Sequence, residues 1–88
     1  MNPLPSAEEL EAHLRAALEP TALEVIDESA AHAGHAGAGP EGRGTHFRVR
    51  IASPRFAGKS RVARHRLVYD ALQIFIARGL HALAIETL

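Results

Sequence analysis

The sequence predicts a small α+β domain in the order α-β-β-α-α-β, with a three-stranded sheet covered on one face by helices. Three observations carry that prediction. A helix-start signature precedes an amphipathic stripe near the N-terminus. Thr45 to Ala52 alternates apolar and polar residues without a break. An almost wholly apolar run, Leu67 to Ala77, follows a glycine turn and a basic segment and is closed by Gly79. At 88 residues this is one domain, residues 1–88, near the lower end of what one core stabilises unaided. With 47% hydrophobic residues but only 5% aromatics, that core must be built from Leu, Ala, Val and Ile.

Ser6-Ala7-Glu8-Glu9 matches a capping box, in which the serine accepts from a backbone N–H and Glu9 reaches back. Leu10, Leu14, Ala17 and Leu18 then repeat at helical spacing, and Pro20 stops the run, giving a helix over about 7–19. Leu23 to Asp27, short and partly β-branched, reads as strand 1. Residues 29–44 are Ala, Gly and His with one proline and no period, the composition of a flexible loop. In strand 2, Phe47, Val49 and Ile51 face the core while His46, Arg48 and Arg50 face water, leaving the arginine face open. Ser53 to Phe56 turns the chain and Gly58 leads through a short turn near 59–62 into a main helix near 64–78. The expected solvent line of that helix is Arg66, Asp70, Gln73 and Ala77. Gly79 fits the position after a helix that needs positive φ, and residues 80–88 form strand 3.

Zero net charge conceals an asymmetry. Residues 1–42 carry eight acids against Arg15 alone, whereas residues 43–88 carry nine bases against Asp70 and Glu86. Such a split suggests a cationic face for nucleic acid or an acidic partner; alternatively, the two halves fold together and neutralise each other. No cysteine is present, so there is neither a disulfide framework nor a thiol nucleophile, and any metal must be met by His, carboxylates or a partner. No secretion signal or membrane-length apolar run is seen, which points to a cytoplasmic protein with no membrane association. Ser6, Ser29, Ser53 and Ser60 sit at cap or turn positions, and the glycines of the loop open no helix. The chain therefore reads as a non-enzyme.

The histidines and the basic segment are the candidate functional residues. His32 and His35 lie in the loop and suit a borderline metal, although on spacing alone a solvated low-complexity loop is the better explanation of them. His13, His46 and His81 read as structural or surface residues. His65 differs because Arg64 and Arg66 flank it; the competing reading is a helix-start histidine that caps or packs. Lys59, Arg61, Arg64 and Arg66, with Arg48 and Arg50, make an anion-facing surface, and the Gly58-to-Arg61 turn could hold phosphate at a helix start. Tyr69 and the phenylalanines look like core rather than a base-stacking platform.

Asp27-Glu28-Ser29, Thr45-His46-Phe47, Arg55-Phe56-Ala57-Gly58-Lys59-Ser60, Arg64-His65-Arg66-Leu67-Val68-Tyr69 and His81-Ala82-Leu83-Ala84-Ile85 together resemble the BolA family, in order and over nearly the whole chain. The resemblance implies a class II KH-like fold. It also implies a partner, a monothiol glutaredoxin with glutathione, sharing a 2Fe–2S cluster in iron–sulfur trafficking or iron regulation. His65 would then be one ligand and His32, or His35 nearby, the other, with thiolates from the partner side and no cluster in the isolated chain. The family has equally been read as stress-type transcriptional regulators that bind double-stranded DNA through the basic helical region. Gly58 is followed by Lys59, Ser60 and Arg61 rather than a Gly-x-x-Gly loop, which counts against single-strand clamping of the KH kind. A weak homodimer is the remaining association left open.

Overall fold

The computed structural model describes residues 4–29 and 45–88. Its elements are α1 (Ala7–Leu18), β1 (Ala22–Asp27), β2 (His46–Ala52), a 3₁₀ turn (Pro54–Phe56), α2 (Arg61–Ala71), α3 (Gln73–Ile76) and β3 (Ala82–Thr87). The order α-β-β-α-α-β is the one the sequence predicts, and the fold is α+β with a three-stranded sheet in the order β1-β2-β3.

Ser6 caps α1 by accepting from the Glu9 N–H at 3.2 Å. Glu9 instead turns its carboxylate to Arg78 at 2.7 Å, tying α1 to the end of α3. Leu10, Leu14 and Leu18 are buried, whereas Ala17, expected on the same stripe, is exposed. Leu18 ends α1 one residue early because Glu19 takes a left-handed φ of 47°, the turn that precedes Pro20.

β1 and β2 pair antiparallel with Val25 opposite Val49, while β2 and β3 run parallel with Val49 opposite Ile85. The parallel pair requires a crossover, which α2 and α3 provide. Phe47, Val49 and Ile51 are buried against Val68, Leu72 and Phe75, as expected for the core side of β2, whereas on its other side Arg50 is exposed and His46 is buried.

The two helices of the crossover divide differently from the expectation. Helix begins at Arg61, not near residue 64, because the Ser60 hydroxyl accepts from the Ala63 N–H at 3.1 Å and starts the first turn. It is then interrupted at Leu72 (φ −102°, ψ 10°), whose N–H is shared between the Val68 and Tyr69 carbonyls. The helix also exposes more apolar surface than its predicted solvent line, at Val62, Tyr69, Ile74 and Ile76. Gly79 has φ 111°, with its N–H bonded to the Ile76 carbonyl and the Leu80 N–H to that of Phe75. This is a Schellman closure, and the buried Phe75 and Leu80 supply its apolar contact. No helix among the described residues is long and apolar enough to cross a membrane.

Candidate functional site

Ser29 and Thr45 are the residues that flank the segment 30–44, and the structure fastens them together. Ser29 is fully buried. Its N–H donates to Asp27 Oδ1 at 2.9 Å, an Asx-type turn that ends β1. Its hydroxyl oxygen then accepts from the backbone N–H groups of both Thr45 and His46, each at 2.9 Å. The Glu28 N–H donates to the His46 carbonyl at 2.7 Å. A residue assigned from sequence to the loop is thus the staple that closes its base.

β3 starts at the same place. The Thr45 carbonyl accepts from the N–H groups of His81 at 2.8 Å and Ala82 at 3.0 Å. His46, expected on a polar surface, is 8% exposed, and its Nδ1 lies 3.0 Å from Thr45 Oγ1. The His46 and His81 rings lie 5.5 Å apart between centroids, tilted by 52°. His81 is exposed. An exposed imidazole therefore stands on a strand terminus hydrogen-bonded to one of the two anchors of the 30–44 segment. The sequence places His81 at the entry to strand 3 as a structural or surface residue, after the Gly79 helix stop, and it is exposed there.

The basic segment forms a second feature. Lys59, Arg61 and Arg66 are exposed; Arg64 and His65 are half-buried, and the Arg64 Nε is enclosed without a hydrogen-bond partner among the described residues. His65 lies one turn before Tyr69 on the same helical face. The Tyr69 hydroxyl donates to the Leu83 carbonyl at 3.3 Å, so this face of α2 lies by the beginning of β3, two residues from His81. Tyr69 is 40% exposed rather than core. His13 packs edge-on against Phe75, a structural role as expected. His32 and His35 lie outside the described residues.

Arg48 and Arg50 differ from the other candidate cations. Arg48 donates to Glu28 and Glu86, both at 3.0 Å, and Arg50 to Glu24 at 3.2 Å with Glu86 at 3.7 Å. The hydrogen bonds to Glu28 and then Glu86 hold the Arg48 guanidinium above its already high ordinary range. The polar face of β2 is open to solvent but laced by carboxylates from both neighbouring strands. Lys59, Arg61, Arg64 and Arg66 have no ion-pair partner among the described residues, so the unpaired positive charge is concentrated on α2 and the turn before it. The described residues hold no group of three or more His, Cys, Asp or Glu side chains that could enclose a metal.

The family described as BolA-like protein matches residues 14–88. "SufE-like protein 1, chloroplastic/mitochondrial" of Arabidopsis thaliana is 56% identical over 72 residues, 77% of this chain but 19% of that protein. The chain thus corresponds to a small part of that much longer relative. "DNA-binding transcriptional regulator BolA" of Escherichia coli is 41% identical over 80 residues, 91% of this chain and 71% of that protein. Among solved structures, the BolA domain of SufE1 from Arabidopsis thaliana superposes with a TM-score of 0.81 at 46% identity, covering 92% of this chain and 87% of that one.

Proposed function

The chain belongs to the BolA family, and on that premise we propose that it is an adaptor that completes an iron–sulfur site with a monothiol glutaredoxin and glutathione rather than a catalyst. The 2Fe–2S cluster is its cargo, carried for trafficking or iron sensing. One observation carries the reading: exposed His81 is fixed by backbone hydrogen bonds to Thr45, beside the base of the segment that contains His32 and His35.

The donor set fits a shared cluster and not a private one. Imidazole is a borderline ligand that can replace thiolate on one iron of a 2Fe–2S centre, and four ligands are needed in all. This chain has no cysteine, so the thiolates must come from the partner and glutathione. On this reading His32, with His35 as its neighbour, is the loop ligand, and the second comes from the α2–β3 side. His65 is the candidate the family resemblance implies; His81 is the one the geometry favours, being exposed and nearer the loop base in bonding terms. The chain's own groups present imidazole, and Ser29 holds the ends of the loop together.

Mixing the purified protein with cluster-loaded monothiol glutaredoxin and recording visible circular dichroism tests this. The wild-type complex should give a spectrum distinct from that of the glutaredoxin alone. His81→Ala should abolish the difference, and a His65→Ala spectrum identical to wild type would remove His65 from the ligand set. If neither substitution alters the spectrum, ligation from the α2–β3 side is wrong.

A second reading rests on the uncompensated charge of Lys59, Arg61, Arg64 and Arg66 and on the name of the Escherichia coli relative. It makes the chain a regulator that binds duplex DNA through α2. Affinity would then fall steeply with salt and keep a sequence preference. Weak, uniform binding to any duplex would reduce it to nonspecific charge.

A further inference from the structure

Where β2 and β3 begin, a buried imidazole lies beside an exposed one, and the two are restrained differently. The Thr45 carbonyl accepts from both the His81 N–H at 2.8 Å and the Ala82 N–H at 3.0 Å, so two successive residues entering β3 share one acceptor. Ala82 stands opposite His46 in the parallel ladder, and His81 lies just before β3 begins. The main chain of His81 is therefore held while its side chain is exposed. Against that side chain stands the His46 ring, 8% exposed, with centroids 5.5 Å apart and planes tilted by 52°. His46 is itself fixed: Nδ1 lies 3.0 Å from Thr45 Oγ1, and its N–H donates to Ser29 Oγ at 2.9 Å.

We propose that His46, anchored by the Thr45 hydroxyl, is a positioning residue that limits the rotamers of the His81 imidazole and so prepares it as a ligand. This rests on the adaptor reading, in which His81 is a ligand of the shared cluster. An exposed histidine turns about χ1 and χ2, and freezing those turns on coordination opposes binding. A ring fixed on one side removes some of that freedom before the partner arrives. Metal-ligating histidines are commonly oriented by a hydrogen bond to the second ring nitrogen. Here the restraint on His81 is ring against ring, and the hydrogen bond belongs to the supporting ring instead. Thr45 is 4% exposed and its N–H is held by Ser29 Oγ at 2.9 Å, so the anchor is itself pinned. One residue thus acts on His81 twice: through its carbonyl on the main chain, and through its hydroxyl and His46 on the side chain.

The test takes two readouts on the same variants. Three-bond couplings of His81 in the isolated protein give its χ1 populations. Titration into cluster-loaded monothiol glutaredoxin, followed by visible circular dichroism, gives the protein concentration at half-change. His46→Leu fills the buried position without a ring, and Thr45→Val removes the hydroxyl while leaving the backbone bonds; thermal melts verify that each is folded. In wild type one χ1 rotamer of His81 should dominate. In His46→Leu the populations should move towards those of an unrestrained histidine, and the half-change concentration should rise about tenfold or more. Thr45→Val should shift both readouts the same way by less, and it decides alone if His46→Leu does not fold. A merely structural role for His46 would lower the melting temperature and leave the His81 populations unchanged. If neither variant alters those populations, or if His46→Leu titrates as wild type does, the inference is overturned and the adaptor reading stands. If wild type itself leaves the glutaredoxin spectrum unaltered, the adaptor reading fails and the inference falls with it.

Discussion

Ser29→Ala offers a sharp test of how the loop base is held. The hydroxyl accepts from two backbone N–H groups at 2.9 Å, in a setting where Ser29 is 0%, Thr45 4% and His46 8% exposed. Alanine fits the space but accepts nothing, so both donors stay buried without that partner. A buried donor stripped of its acceptor costs about 1–3 kcal/mol, and two that relax together should cost about 2–4 kcal/mol. A domain of this length is stable by about 4–13 kcal/mol, so the loss is a large fraction of the whole. The melting temperature should fall by at least about 8 °C. Urea denaturation followed by far-ultraviolet circular dichroism measures the change, with an unaltered m-value showing that the unfolded state is not responsible. Hydrogen exchange should speed up at the Thr45 and His46 amides. Ser60→Ala is the control: it removes a cap of the same chemistry from an exposed site, where water replaces the bond to Ala63, and should cost about 1 kcal/mol. A Ser29→Ala loss below about 0.5 kcal/mol, or one equal to that of Ser60→Ala, would refute the reasoning.

Gly79→Ala should destabilise by about 1–2 kcal/mol, because φ is 111° and a Cβ would stand 2.7 Å from Leu4 Cδ2. In a Leu4→Ala background most of that cost should persist in thermal melts, since the leucine tip can move and the backbone cannot. Leu72→Ala empties a fully buried position at the α2–α3 break and should cost about 2–5 kcal/mol by chemical denaturation. Glu86→Gln weakens the pairing of Arg48 and Arg50 together, yet should cost less than about 1 kcal/mol, an effect that shrinks as salt is added.

The parts of the fold legible in the sequence are those where one local rule acts alone. Phe47, Val49 and Ile51 alternate because β2 is the central strand with one face on the core, and that period survives any tertiary detail. Gly79 was readable because a positive φ beside a helix end leaves few alternatives. The site was less legible because its residues come together through the sheet. Ser29, His46 and His81 share no local pattern; they meet because β1, β2 and β3 terminate side by side. His46 looked polar-facing by alternation, yet it is buried, with the Thr45 hydroxyl at its Nδ1 and the His81 ring beside it. The break at Leu72 was hidden for another reason. Val68, Leu72 and Phe75 keep helical spacing straight through it, so the apolar pattern carries no trace of the interruption.

The division of charge between the chain's two halves explains why the exposed face of α2 remains cationic. Acids on β1 are within reach of β2 because the two strands pair, and Glu24 and Glu28 are used there on Arg50 and Arg48. Acids on and after α1 reach the two ends of the crossover, Glu19 at Arg55 and Glu9 at Arg78. Both arrangements neutralise basic residues at the borders of the second half. The beginning of α2 lies between those borders, and Asp70 is the one acid in α2 itself. Four like charges within residues 59–66 repel one another weakly while water screens them, so the isolated fold tolerates them. A complementary surface gains from the same charges through faster encounter as well as contact. Among the described residues, the topology that pairs the cations of β2 and of the crossover's two ends therefore leaves the start of α2 with charge that no carboxylate of the fold meets.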